Sequence, residues 1–351
     1  MRKAIAYIAL LILTLVYLLA TIPHATRLLY NLEIITDIRH YGDLYALSYL
    51  PGYKQFHEPC TYRAPLVERK RKIRLVVIGD SYAEKLKPYD FSADEFEFVH
   101  WYNKLHVTID PDYYNVLIIE TTERATSRLA QPNSNLIIGN KNAVADKENI
   151  NLIESIRRAL GNTNVEWNIE SMLFNNDVFK HLKELKAQLN HVVFSRIAPD
   201  VIISKNQNRL YYRPTIDTVE NPNSSFSILT DSVINARVKG MYATSAQYKN
   251  AGFNRVIFSI IPNPVSVIEP EMGNYNHQIE RIQNNGRLLH IEYIDAYHLL
   301  NTMGEKAFYL SDTHWNCEGI SGWLDEINWR VLVVDSVDAR LIRLPAFKFY
   351  N

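Results

Sequence analysis

Apolar and polar positions follow different rhythms along this chain, and each rhythm predicts a different element. The first is an unbroken apolar run. After Met1, Arg2 and Lys3, the stretch AIAYIALLILTLVYLLA from Ala4 to Ala20 carries no charge and reaches Pro23 with only Thr21 and Ile22 added. A helix that crosses the hydrocarbon core needs about 20 such residues, so residues 1–23 are just long enough for an N-terminal transmembrane helix. Arg2 and Lys3 hold to the cytoplasmic side, which sends everything after Pro23 across the membrane. A cleaved signal peptide has a similar pattern, but TIPHATR is a poor small-x-small cleavage site, and an uncleaved anchor is the preferred reading.

Residues 24–72 have no periodicity and read as a juxtamembrane linker, rich in tyrosine and proline (LPGYKQFHEPCTYRAP) and ending in the basic run ERKRKIR. Arg69 to Arg74 would suit anionic head groups; a solvated lead-in to the first strand is the simpler reading.

From Ile73 the chain alternates. Short runs rich in Val, Ile and Phe lie at Ile73–Ile78, Phe96–Trp101, Tyr114–Glu120, Arg255–Ile261 and Leu288–Ile294, and such runs suit strands covered on both faces. Between them lie amphipathic segments. DKENINLIESIRRAL sets Ile150, Ile153, Ile156 and Leu160 on one face, and DVFKHLKELKAQL does the same with Val178, Leu182 and Leu185. DSVINARVKGMYATSAQYKNAGF opens on an Asp cap and ends at Gly252. The alternation predicts one α/β domain over 73–333, a three-layer α/β/α arrangement around a parallel sheet, followed by a tail at 334–351. Ligands of such sheets bind beyond the carboxyl ends of the strands. Residues 203–227 break the rhythm and read as an irregular insertion, either a binding loop or a loose surface excursion.

Composition narrows the field. With 351 residues, one main domain buries enough core without staples. Lys plus Arg (38) equals Asp plus Glu (38), so no overall basic field invites nucleic acid. Cys60 and Cys317 rule out a disulfide framework or a thiolate zinc site. They allow one bridge outside the cytosol, although two separate small apolar side chains is the preferred reading at such a separation. No metal or cofactor is expected.

The chemistry starts in RLVVIGDSYAEKL. Gly79 permits a tight turn at the strand end, and Ser81 at the start of a following helix would expose both its hydroxyl and its N–H. That would serve a nucleophile, with the N–H holding a developing oxyanion. An ordinary helix N-cap has the same sequence. A serine nucleophile needs a base. His181 lies among lysines on an amphipathic segment, and His100, His191 and His290 sit in ordinary apolar surroundings, whereas His314 in FYLSDTHWNCEGISGW follows Asp312 by two. A bend there would give one ring nitrogen to Asp312 and the other to Ser81, the order of roles in a serine triad. The alternative is a turn capped by Asp312.

Together these two blocks resemble the SGNH (GDSL-type) hydrolase superfamily, whose flavodoxin-like parallel sheet the alternation also suits. The tight Asp312-Thr313-His314 followed by Trp315 and Gly319 is similar to the signature of the alginate O-acetyltransferase branch and the related DHHW proteins, and PDYYNVLIIETTERA, with Glu123-Arg124 after a strand, is similar to a segment of the same branch. The order departs from the alginate enzymes, where the acid and base block precedes the serine. The superfamily's oxyanion hole also uses a glycine N–H and an asparagine amide. This chain has no glycine between Gly79 and Gly139, so the Ser81 N–H would need Thr122 or Arg124 as its partner, with Tyr82 and Trp315 as further oxyanion or substrate candidates. Losing one donor costs about 10²–10³ in rate.

The resemblance implies an acyltransferase. Ser81 would take an acetyl group, with His314 as base and then acid and Asp312 orienting it, and the acetyl would pass to a polysaccharide hydroxyl. The acyl donor would be a membrane-bound O-acyltransferase, because a domain on the periplasmic side of a bacterial inner membrane does not reach cytosolic acetyl-CoA. Tyr211, Tyr212, Arg209 and Arg213 in the insertion would offer the stacking face and cations that a glycan needs. An esterase or deacetylase with the same triad, and a catalytically silent glycan-binding or scaffold domain, remain open beside it.

Overall fold

The computed structural model describes residues 2–32, 34–35, 38–65, 71–139, 165–219 and 223–333. The predicted helix around Ile150–Leu160 and the tail at 334–351 lie outside them, as does the basic run up to Lys70. The chain divides into two compact units, Met1–His57 with Ala145–Val201 and Glu58–Val144 with Ile202–Asn351. This differs from the expected single domain with a linker before it.

In the first unit, helix Arg2–Ala20 contains an 18-residue span, Lys3–Ala20, long and apolar enough to cross a membrane. Residues 38–57 are packed structure because their aromatic side chains have partners. Leu44, Tyr45 and Leu50 are buried, the Tyr45 hydroxyl donates to Glu184, and Lys54 Nζ lies 2.7 Å from the same carboxylate and 5.0 Å from the Tyr41 ring centre. Glu184 belongs to helix Asp177–Phe194, which extends the predicted segment by a turn and is capped by Asn176, whose side chain accepts from Phe179 N–H.

The second unit is built on a five-stranded parallel sheet. Its strands are β1 (Lys72–Gly79), β2 (Glu95–His100), β4 (Tyr113–Thr122), β8 (Arg255–Ile261) and β9 (Glu292–Ile294), in spatial order β2-β1-β4-β8-β9. In register, Val77 of β1 sits between Phe98 of β2 and Ile118 of β4. A parallel pair, β3 (Leu105–Thr108) with β5 (Leu136–Gly139), lies outside this sheet. Side chains of a strand alternate between faces, and β1 shows both faces dry. Ile73, Leu75 and Val77 join Leu300, Trp323 and Ile327 of helices Ala296–Met303 and Cys317–Ile327, whereas Val76 and Ile78 join Ile234, Met241 and Ile282 of helices Asp231–Asn250 and Gln278–Arg287. The winding direction reverses between β1 and β4, the switch point at which doubly wound sheets open a crevice.

Three expectations change in detail. The last strand is only Glu292–Ile294, since Leu288 and Leu289 are exposed in the turn that ends the preceding helix. Thr230, not Asp231, caps helix Asp231–Asn250. The described residues of the predicted insertion, 203–219 and 223–227, are not a loose excursion: strands β6 (Val201–Ile203) and β7 (Leu210–Tyr212) form a two-stranded ribbon, and Tyr211 and Phe226 are buried with Val265 and Tyr275. Arg74 of the basic run is engaged structurally, with Glu95 at 3.4 Å and with Glu97.

Cys60 and Cys317 form a disulfide with a Cα separation of 5.1 Å, which overturns the reading of two separate side chains. Sequence distance does not oppose pairing once the sheet has brought the two segments together. The bridge joins positions 257 residues apart, a closure that removes much entropy from the unfolded chain. Replacing both cysteines by serine is expected to cost about 2–4 kcal/mol, read as a lower urea midpoint for the variant than for the oxidised protein.

Candidate active site

Backbone geometry sets up the candidate nucleophile, Ser81. β1 ends at Gly79, where a Cβ would come within 2.8 Å of both Ala83 Cβ and Glu120 Oε2, so only glycine fits. The next residues form a turn rather than the predicted helix. Asp80, not Ser81, does the capping: its carboxylate accepts from Tyr82 N–H at 3.1 Å and its carbonyl accepts from the N–H groups of Ala83 and Glu84. Ser81 is thereby relieved of a capping role. Its side chain is exposed, and its N–H donates to no acceptor among the described residues.

The acid and base come from the loop before helix Cys317–Ile327. Phe308 and Trp315 pair across this loop, Asn316 N–H donates to the Ala307 carbonyl at 2.9 Å, and the Asn316 side chain caps the helix by accepting from Glu318 and Gly319. Gly319 packs so closely that a Cβ would lie 2.4 Å from the Ala307 oxygen. Leu310 accepts at its carbonyl from Leu210 N–H at 2.8 Å, so the β7 segment buttresses the same loop.

Within that frame the triad is assembled. Asp312 Oδ1 lies 2.6 Å from His314 Nδ1 and accepts the His314 backbone N–H at 2.8 Å; His314 Nε2 lies 2.9 Å from Ser81 Oγ. Asp312 is buried and Ser81 exposed, so the chain of contacts runs from a protected carboxylate to an accessible hydroxyl. Tyr82 ties the two loops together: its hydroxyl donates to the Thr313 carbonyl and its ring lies 4.6 Å from the His314 ring.

A second carboxyl supports the turn from behind. Glu120, fully buried in β4, accepts the Asp80 N–H at 2.8 Å through Oε2. Burial, and then the neighbouring Asp80 carboxylate, push Glu120 well above its ordinary range and favour the neutral acid. Asp80 in turn has Arg128 Nη1 at 3.7 Å, and the Arg128 guanidinium lies over the Trp101 and Tyr102 rings at 5.4 and 5.6 Å. Glu123 is buried as well, accepting from Asn263 N–H at 2.9 Å and Ser266 Oγ at 2.6 Å, which fixes the turn carrying Arg124.

Of the predicted residues, Ser81, Asp312 and His314 meet directly. Arg124 lies over Tyr82, the residue after Ser81, with its guanidinium 5.9 Å from the centres of both the Tyr82 and Tyr212 rings. Tyr82 and Trp315 are buried, with ring centres 5.4 Å apart, and hold the loops rather than face a substrate. Thr122 is buried at the end of β4. Tyr211 and Arg209 are also buried, which removes them as a glycan face, while Tyr212 and Arg213 remain partly exposed. Sequence reasoning missed Glu120, Arg128 and Asn316. A lone carboxyl inside the apolar run NVLIIETT was the available signal for Glu120. No family model, curated protein or solved structure matches this chain.

Two outcomes follow from this geometry. In the fold Glu120 binds a proton that the unfolded chain releases above about pH 4.5, so its contribution to stability is present at low pH and is lost as pH rises toward the folded-state value. Glu120→Gln, neutral at every pH, should lose that decline, and urea titrations should show its stability gaining on the native protein as pH increases. Tyr82→Phe removes the tie to Thr313 and should cost about 1 kcal/mol in the same assay.

Proposed function

We propose that this chain is an extracytoplasmic, serine-dependent O-acyltransferase that moves an acetyl group onto a hydroxyl of a cell-surface or exported polysaccharide. The observation that carries the proposal is the continuous Asp312–His314–Ser81 relay, with contacts of 2.6 and 2.9 Å. The five-stranded order with its switch beside β1 supports the SGNH-type, flavodoxin-like reading, as does a serine set at the end of the first strand.

The chemistry proceeds in two halves. His314 Nε2 takes the Ser81 proton while Oγ bonds to the acetyl carbonyl carbon; the tetrahedral oxyanion then collapses, and the departing oxygen of the donor takes the proton from His314. The acceptor hydroxyl repeats the sequence: it gives its proton to His314, attacks the acetyl-serine carbonyl, and Ser81 leaves reprotonated. Asp312 keeps the proton on Nδ1 and stabilises the imidazolium throughout. The Ser81 N–H is one donor for the oxyanion, and we assign the Arg124 guanidinium, over the ring of the next residue, as the second. The acyl donor in this reading is a membrane-bound O-acyltransferase, and the apolar span Lys3–Ala20 supports an anchored enzyme beside it. The exposure of Ser81 favours hydrolysis as the second reading, in which water takes the place of the sugar hydroxyl.

A fluorophosphonate probe on the full-length protein should label Ser81, and Ser81→Ala should abolish labelling. Absence of labelling in the native protein, or labelling that survives Ser81→Ala, would falsify the catalytic reading. Asp312→Asn should slow turnover of an acetyl ester by roughly 10⁴ through loss of the correct tautomer. Adding a polysaccharide acceptor should divert acetyl from water to sugar; hydrolysis that no glycan diverts would select the esterase.

A further inference from the structure

Helix Asp177–Phe194 is built inside out. Its inward face is polar: Lys180 is 6% and Glu184 8% exposed, and Glu184 takes hydrogen bonds from Tyr45 and Lys54. Its outward face is aliphatic, with Leu185 63% and Val192 71% exposed. Val178, Leu182, Leu185, Leu189 and Val192 recur at spacings of four and three, so they form one stripe along a helix of 18 residues, and Val193 widens it. Facing water, such a stripe is unfavourable, because contiguous apolar surface of this kind marks an interaction face.

A neighbouring contact within the same unit bears on what covers it. Helix Val165–Phe174, two residues upstream, packs along the apolar span: Asn168 Nδ2 donates to the Ala20 carbonyl at 2.9 Å, and Ile169 and Leu173 line a cleft with Leu13, Thr14, Val16 and Tyr17. Those four residues belong to the second half of the span, so Val165–Phe174 is held against the part nearer Pro23, and the inverted helix follows after Asn175 and Asn176. Its stripe is bordered by exposed Lys186, a cation suited to phosphate head groups.

We propose that helix Asp177–Phe194 is an interfacial membrane helix, lying in the outer leaflet with Val178, Leu182, Leu185, Leu189 and Val192 toward the acyl chains. It gives the anchor a second contact with the bilayer. The inference rests on the membrane-spanning reading of Lys3–Ala20, and the test separates the two.

Full-length protein carrying Leu185→Cys, Leu189→Cys or Thr14→Cys is labelled with an environment-sensitive nitrobenzoxadiazole dye, leaving the Cys60–Cys317 bridge intact, and reconstituted into phosphatidylcholine–phosphatidylglycerol vesicles. Spin-labelled lipid then reports contact with the acyl chains. All three probes should shift to the blue on reconstitution and lose most of their emission to the quencher. If the Thr14 probe is quenched while those at Leu185 and Leu189 are not, the interfacial helix is overturned and the span stands. If the Thr14 probe also escapes quenching, both readings fall. A blue shift at Leu185 that grows with protein concentration in detergent and ignores the lipid quencher overturns the proposal in favour of a second copy of the chain.

Discussion

The hydrogen bond from the Tyr82 hydroxyl to the Thr313 carbonyl joins two loops 231 residues apart in sequence, and the site depends on it. One loop ends β1 and carries Ser81; the other precedes helix Cys317–Ile327 and carries Asp312 and His314. Neither loop has an internal reason to face the other. The same tyrosine donates its backbone N–H to Asp80 and rests its ring against His314, so a single buried side chain sets the Ser81 turn and the imidazole plane together. A relay whose contacts are 2.6 and 2.9 Å tolerates little drift between its two halves, which is why a rigid link matters more here than an additional polar group in the site.

Behind this link, polar groups are buried in an order that serves positioning. Glu120 holds the Asp80 N–H from inside the sheet, Arg128 attends the Asp80 carboxylate from outside, and Glu123 fixes the turn that brings Arg124 over Tyr82. A buried carboxyl is costly unless it is hydrogen-bonded or neutral. Both are hydrogen-bonded and both are pushed upward by burial: Glu123 has donors from Asn263 and Ser266 that counter the rise, whereas the Asp80 carboxylate beside Glu120 adds to it.

Much of this was legible in the sequence, and where legibility failed the reason is physical. Strands β1, β4 and β8 stood out because each is buried on both faces, and the Asp312–His314 block stood out because its two residues lie two apart in one loop. A cap at Ser81 stands in the sequence as the alternative to a nucleophile because Ser and Asp both cap well, and only the backbone path, which gives the cap to Asp80, decides between them. Tyr211 and Trp315 read as substrate contacts in the sequence, since an aromatic side chain reads the same in a groove and in a core. Residues 38–57 lacked periodicity because what orders them is a partner far along the chain: Glu184 receives Tyr45 and Lys54. The bridge between Cys60 and Cys317 and the inverted face of helix Asp177–Phe194 share that origin, as consequences of distant segments meeting.

In the proposed mechanism Ser81 forms a covalent acyl intermediate through His314. Intact-mass and peptide mass spectrometry of the full-length protein, quenched in acid during turnover of an acetyl ester, tests it directly. One acetyl group per chain is expected, on the peptide containing Ser81, and none in His314→Ala. Acetyl found only on lysines, or on Ser81 to the same extent in His314→Ala, would contradict it.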